Sequence, residues 1–477
     1  MNNIIKSLSS RYILSLLAIF SFSLALRFWN LGQFNELVFD EVYYAIFGND
    51  YLIDTKVFTS HPPLSQYIIA LGMWLGSFFP APPEMVNNLT GSLRSTLSYR
   101  WLNALSGSLI PLLVAALSLK LTLSRSYSIL AAFLVAFDGM FLVESRYALN
   151  NIYIVIFGLL GNLLFVLYLS QGSYSLKYLI LSGFFLGCAV CIKWNGLWFL
   201  LGICSMIILG FLVSHWKDLS IYRNFRTWLK PSHLPSSTER LSSYPLSNLV
   251  LINPIYHLLI LTITTVITYS ILWIPYLIMN PEDNFWDMQY KILSYHESIK
   301  TGSDVHPYCS TWYSWILMLR PIAYYYEKSH EVIHDVHSMA NPLLLWLSSL
   351  AIFSIFIWLI FSFLRSNEKK AFFTPVNWLL SFFIINYLAN LLPWSKVTRC
   401  IFFYHYLESY TFAILALAWI INGWLNSPQY LSKFVGISSL LVIIIAFIYW
   451  LPIYLGMPLS QDNFDMRIFD IKVLNWI

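Results

Sequence analysis

The chain has 477 residues, of which 58% are hydrophobic, 18% aromatic and only 11% charged, whereas about a quarter of a soluble domain is charged. No aqueous fold hides that much apolar surface. The formal net charge of +5 sits mostly in short loops between apolar blocks, where it reports membrane topology and excludes nucleic acid as the partner.

In chain order, the first apolar block, residues 11 to 29, follows Lys6 and Arg11 and lacks a small-residue cleavage site, so it reads as a retained span and not a signal peptide. Further blocks lie near 101–121, 127–143, 150–170, 178–192, 195–213, 256–279, 342–364, 376–393, 402–424 and 433–455. Each is long enough to cross about 30 Å of hydrocarbon as helix, which predicts an all-α polytopic protein with about eleven transmembrane helices. The segment from Leu64 to Phe79 is apolar but short, and charge parity decides it. If it lies on the membrane surface, Lys6, Arg11, Lys120, Arg125, Lys177, Lys217, Arg223, Arg226, Lys230, Arg240, Arg365, Lys369, Lys370 and Lys433 all share one side. The positive-inside rule then puts the N-terminus in the cytoplasm and makes 64–79 an interfacial helix.

Three regions follow. Residues 1–279 form a transmembrane module with an outer loop at 30–100 and a Ser-, Pro- and Arg-rich cytoplasmic loop at 214–248; 280–340 is a large outer loop; and 341–477 is a C-terminal transmembrane module. Shorter outer turns fall at 144–149, at Lys193 and at 394–401. Of the five cysteines only Cys309 lies clearly in a large loop, so no disulfide framework is expected. The Cys188-x-x-Cys191 spacing inside an apolar helix reads as packing and not as a metal site.

Chemistry is expected on the outer segments. Asp40 and Glu41 are adjacent and do not share a helix face, so one carboxylate is free to point into a cavity while the other turns to a basic residue or caps the next helix. Beside a low-dielectric wall the first has a raised pKa, as a general base for a hydroxyl requires. His61 precedes Pro62-Pro63, which hold it at the interface as a phosphate contact or a headgroup anchor. Asp138, Glu144 and Arg146 crowd a hairpin end, either paired with one another or facing a ligand. Lys193, Arg320 and Arg399 stand among interfacial aromatics, where each either holds an anionic phosphate or snorkels.

Read together, the segments FDEVYYA (39–45), HPPL (61–64), RWLNALSGSLIPLL from Arg100, AFDGMFLVESRYAL from Ala136, KWNGLWF from Lys193, HPYCSTWYSWILMLRPIAYYY from His306 and PWSKVTRCIFFYHYL from Pro393 resemble, in this order, the protein O-mannosyltransferase family. The resemblance covers most of the chain. It implies the GT-C fold, a polyprenyl-phosphate-mannose donor, and Ser or Thr hydroxyls of an exported polypeptide as acceptor, with no cofactor or metal. It implies Asp40 as the catalytic carboxylate supported by Glu41. It also implies His61, Arg100, Arg146, Lys193, Arg320, Arg399 and His405 as candidates for holding the donor phosphate or sugar. Tyr43, Tyr44, His306, Trp312 and Tyr313 are then candidates for the acceptor site. The chain departs from the family where Tyr43 and Tyr44 replace a usual His, where Asn150-Asn151 replace a usual Asp, and where the outer loop is too short for the globular insertion of eukaryotic members. It therefore resembles bacterial members, which implies a plasma membrane surrounded by membrane lipids. Two alternatives remain: a lipid-modifying GT-C enzyme of the aminoarabinose-transferase type, and a transporter without chemistry.

Overall fold

The computed structural model describes residues 10–57, 59–171, 175–215, 242–302, 304–366, 372–471 and 474–477. Lys6, Lys217, Arg223, Arg226, Lys230, Arg240, Lys369, Lys370 and most of the 214–248 connector lie outside the described residues.

Each of the eleven apolar segments is helical. Helix α1 (Ser10–Phe28) leads into a loop carrying α2 (Glu41–Leu52), α3 (Leu64–Gly76) and a hairpin of β1 (Val86–Leu89) and β2 (Ser92–Ser95). Then come α4 (Thr96–Thr122), α5 (Arg125–Ala136), α6 (Gly139–Arg146), α7 (Asn151–Leu169), α8 (Leu176–Ile192), α9 (Leu197–Ser214), α10 (Pro254–Leu272) and α11 (Ile274–Met279). The 280–340 loop holds α12 (Phe285–Ser298) and a second hairpin, β3 (Ile322–Ser329) with β4 (Val332–Ser338). It is followed by α13 (Pro342–Arg365), α14 (Pro375–Leu391), α15 (Leu407–Leu425), α16 (Tyr430–Leu455) and α17 (Gln461–Asp465). The two hairpins are the departure from an all-α chain.

Among the described residues eight helical stretches are long and apolar enough to cross a membrane, or nine if the bent pair α5–α6 is one span. The protein is a multi-pass membrane protein, and the expected eleven spans are not reached on length and composition. Helix α8, at 17 residues, and α15 fall outside the set. Helix α3 has 13 residues, about 20 Å of helix, too short to cross the hydrocarbon core.

Local chemistry explains where helices begin and bend. Asn253, Asn341 and Thr374 each precede a proline and accept a hydrogen bond from the backbone N–H three residues on, so cap and fixed φ start α10, α13 and α14 together. The 60° bend between α5 and α6 sits at Asp138. Its carboxylate caps α6 through Phe141 N at 3.0 Å and also accepts from Asn341 N at 3.0 Å and Tyr410 Oη at 2.9 Å. One buried acid thus replaces the backbone bonds lost at the break and ties α6 to α13 and α15. Helices α8 and α10 meet through small residues, since a Cβ on Gly183 would lie 1.7 Å from Thr264 Oγ1 and one on Gly187 2.6 Å from Thr268 Cβ.

The long loops gather at one end of the bundle. Lys56 pairs with Glu282 at 2.8 Å, Ile333 bridges to Leu459, and Trp476 Nε1 donates to Met318 O at 2.9 Å. The cysteine expectation is corrected here, because Cys309 and Cys400 form a disulfide with Cα atoms 5.2 Å apart. Cys400 is not part of an apolar helix. It lies on a non-helical stretch between the 3-10 turns Leu392–Lys396 and Phe403–Tyr406, which join α14 to α15. Cys188 and Cys191 are buried free thiols.

Candidate active site

The acidic pair divides at the start of α2, where successive residues point about 100° apart. Glu41 is fully buried and saturated: it accepts from Arg100 Nε at 2.9 Å and Nη2 at 2.7 Å, from Val38 N at 2.9 Å and from Ala148 N at 2.8 Å. Arg100 spends its other donors on the carbonyls of Leu31, Phe34 and Glu36. Asp40 is half-buried at the head of the helix, and among the described residues its carboxylate has no side-chain hydrogen bond. Burial raises its pKa to about 6, opposed by the positive charge of Lys193 and reinforced by Glu144. Phe39, just before it, has φ +52° and stacks on Tyr324 with ring centroids 4.2 Å apart. A bulky residue in the left-handed region is strained, so the packing of Tyr324 fixes the turn that presents Asp40.

Lys193 stands in the connection between α8 and α9, and its buried ammonium is held by a neutral partner. Nζ donates to Asn151 Oδ1 at 2.9 Å and lies 5.2 Å from the centre of the Tyr404 ring. Asn151 Nδ2 donates onward to Glu144 Oε2 at 2.9 Å, while Glu144 Oε1 accepts from Ser338 Oγ at 2.7 Å and from the Tyr324 hydroxyl. Burial lowers the pKa of Lys193 to about 8 against the raising effect of Asp40. A second buried acid, Glu408, accepts from Asn195 Nδ2 at 2.7 Å through one oxygen and, among the described residues, has no hydrogen-bond partner on the other.

Lys193 also lines a cavity of about 710 Å³. Its polar end carries His61, His296, Arg399 and His405, and its walls are Val190, Trp194, Leu197, Val266, Tyr269 and Trp394. The His61 and His296 rings lie 4.9 Å apart, and Tyr44 stacks on His61 at 6.4 Å. Burial, with the nearby cations Lys193 and Arg399, pushes His61 well below the usual imidazole range; burial and Arg399 push His296 down to about 4. Both imidazoles are therefore neutral at physiological pH, and Lys193 and Arg399 carry the positive charge. Among the described residues the Arg399 side chain makes one hydrogen bond, Nη1 to Cys400 O at 3.0 Å. Leu197 and Val266, on the apolar helices α9 and α10, are exposed, so the cavity joins a cation-bearing end to an apolar wall.

The other candidates are placed elsewhere. Arg100 is consumed by Glu41 and by backbone carbonyls. Arg146 caps the end of α1 through the carbonyls of Leu26, Arg27 and Trp29 at 2.9, 3.2 and 2.7 Å, so Asp138, Glu144 and Arg146 do not pair with one another. Arg320 donates to Pro307 O and to Asn475 and covers the Tyr308 ring at 4.8 Å, away from the cavity lining. Tyr43 is 56% exposed while Tyr44 is buried, since neighbouring residues on a helix point about 100° apart. His306 packs edge-on to Phe402, Trp312 packs on Tyr313, and none of the three lines the cavity. Sequence reasoning missed His296, Tyr324, Tyr404 and the Asn195–Glu408 pair. His296 carried one signal, its place seven residues after Gln289 on one face of α12, and both residues line the cavity.

Two family models match consecutive parts of the chain: dolichyl-phosphate-mannose-protein mannosyltransferase over residues 17–233, and the C-terminal four TMM region of protein-O-mannosyltransferase over residues 281–470. A polyprenol-phosphate-mannose–protein mannosyltransferase of Mycolicibacterium smegmatis is 22% identical, covering 93% of this chain and 89% of its own length. The Corynebacterium glutamicum protein of the same description is 23% identical over 75% of this chain and 69% of its own length. Among solved structures, the Saccharomyces cerevisiae protein O-mannosyltransferase Pmt1–Pmt2 complex bound to the sugar donor superposes with a TM-score of 0.77 at 14% identity, covering 98% of this chain and 94% of that one. The fold is thus of the GT-C type.

Proposed function

This chain belongs to the protein O-mannosyltransferase family of glycosyltransferases, and from that premise we propose that it transfers mannose from polyprenyl-phosphate-mannose to Ser or Thr hydroxyls of exported polypeptides at the outer face of the plasma membrane. The observation that carries the proposal is the contrast at the head of α2, where among the described residues the Asp40 carboxylate has no side-chain hydrogen bond, beside the cation-bearing cavity, while Glu41 is fully bonded. With a pKa of about 6, Asp40 is mostly ionised at neutral pH and still basic enough to accept a proton. It takes the proton of the acceptor hydroxyl as the oxygen attacks the anomeric carbon. The bond from that carbon to the phosphate oxygen breaks on the opposite face, and polyprenyl phosphate leaves with the electron pair and the negative charge. Lys193 and Arg399 hold that charge, and the apolar wall holds the prenyl chain. A phosphate is a good leaving group, so the step as written uses no metal. Two independent observations support the outer face: the distribution of Lys and Arg among the loops, and a disulfide at the end where Asp40 lies, since disulfides persist in oxidising compartments.

The test is transfer by the purified chain in vesicles holding polyprenyl-phosphate-mannose, with a Ser/Thr peptide and its Ala counterpart. The expected result is one added hexose on the Ser/Thr peptide alone, read by mass spectrometry. Sugar appearing on lipid with both peptides unmodified would sink the proposal in favour of a lipid-modifying enzyme.

A further inference from the structure

Arg399 reaches the cavity from a connection that is not helical for much of its length, and among the described residues its own side chain is fixed by one hydrogen bond, to the neighbouring carbonyl of Cys400. What holds this connection comes from the 300–315 part of the large loop, and it is concentrated on the two residues after Arg399. Cys400 N donates to Lys300 O at 3.0 Å, Ser310 N donates to Ile401 O at 2.8 Å, and Ser310 Oγ donates to the same carbonyl at 3.1 Å. Between these bonds runs the covalent tie from Cys309 to Cys400. On the same side, Trp315 Nε1 donates to Ser310 Oγ at 2.8 Å, and the Trp315 ring lies parallel to His405 with centroids 6.0 Å apart. The two loops are 91 residues apart in sequence. Besides the covalent bond they meet through a few hydrogen bonds, each weak on its own, and through the buried Trp315 ring, which packs on Trp394 and His405 but, among the described residues, makes no ring contact or hydrogen bond with Arg399 itself.

We infer that the Cys309–Cys400 disulfide is a positioning element for donor binding, which holds Arg399 at the cavity so that the anionic lipid donor binds tightly only while the pair is oxidised. The inference rests on the function proposed above. Reduction by a dithiol delivers two electrons and two protons, breaks the S–S bond to leave two thiols, and closes the reagent into its own disulfide. The freed connection then samples more conformations, and the ordering of Arg399 has to accompany donor binding, which weakens it.

The experiment uses the full chain in vesicles, with and without dithiothreitol, and measures donor KM and kcat beside direct binding of polyprenyl phosphate. Reduction is verified by alkylation and mass of the Cys309 and Cys400 peptides. The expected result is a loss of about tenfold in affinity, seen in KM and in direct binding, with kcat much less changed. The Cys309→Ala/Cys400→Ala variant is expected to show the same loss without reductant and no further response to it, and Arg399→Ala to lose the redox response. Unchanged affinity on verified reduction, or a response that persists in the double variant, overturns the inference. If the double variant does not fold, the titration of the unaltered chain still decides. Redox-dependent binding of polyprenyl phosphate without sugar transfer would overturn the proposed function and leave this inference standing.

Discussion

Two charged clusters lie side by side at the loop end of the bundle, and they are built on opposite principles. Around Glu41 and Arg100 every strong donor and acceptor is spent within the protein: two charge-assisted bonds join the pair, and backbone N–H groups and carbonyls take the rest. Around Asp40, Lys193 and Arg399 the charges are less deeply buried, Lys193 almost fully and the other two in part, and among the described residues they are left under-satisfied. Among those residues the Asp40 carboxylate has no side-chain hydrogen bond, Lys193 Nζ has one to a neutral amide, and the Arg399 guanidinium has one to its neighbour's carbonyl. Burial of charge is costly unless it is matched. The saturated cluster is therefore architecture, which pins the first loop to α4 and to the turn before α7, whereas under the proposed function the unsaturated one is completed by the anion and hydroxyl of the substrates.

Substitutions can break this contrast in graded steps. The largest effect is expected from Asp40→Asn, which removes the base while keeping its volume. Transfer should fall by about 10²–10⁴-fold with the unfolding midpoint in detergent nearly unchanged, so undiminished transfer would refute the assigned role. Glu41→Gln should do the reverse in kind. It leaves Arg100 buried against a neutral partner and should cost about 3–5 kcal/mol of stability, seen as a lowered unfolding midpoint, with activity lost only as folded protein is lost. Arg399→Ala is expected to raise donor KM by about 10- to 100-fold, the value of a charge-assisted hydrogen bond, with a smaller change in kcat. The pH profile sharpens the comparison further. Asp40 must be ionised, so kcat/KM rises with pH through about 6, and Lys193 must be protonated, so it falls through about 8. Lys193→Arg should move the alkaline limb upward and leave the acid limb in place. The smallest effect is expected at the surface, where Tyr43→Ala should change stability by less than about 0.5 kcal/mol and barely alter transfer, whereas Tyr44→Ala, beneath it and against His61, should impair both.

Much of this was legible from the residues alone. Span length and charge parity located the apolar segments and the loops, because both depend on local composition. The different faces of Asp40 and Glu41 followed from helical rotation, and the same argument separated Tyr43 from Tyr44 once the helix was seen. What was not legible is which acceptor each cation finds. Arg100, Arg146 and Arg320 look like Lys193 and Arg399 in sequence, an interfacial cation among aromatics. They differ in meeting several acceptors that the fold brings from afar: for Arg100 the Glu41 carboxylate and carbonyls 64 to 69 positions away, for Arg146 carbonyls 117 to 120 away, and for Arg320 carbonyls 13 and 155 away. The disulfide was hidden for the same reason: Cys400 borders an apolar block, and nothing local tells that its partner arrives from 91 residues upstream.

The turn at Phe39 has a consequence for anyone trying to make this protein sturdier. A residue with a Cβ at φ +52° carries about 1–3 kcal/mol of local strain, so glycine at this position is the kind of change that a thermostability screen rewards. Glycine would also remove the ring that stacks on Tyr324, and with it the contact between the Asp40 turn and the hydroxyl that bonds Glu144. A selection for heat resistance and a selection for sugar transfer would therefore pull this one position in opposite directions, and a library read for both traits should show the trade directly.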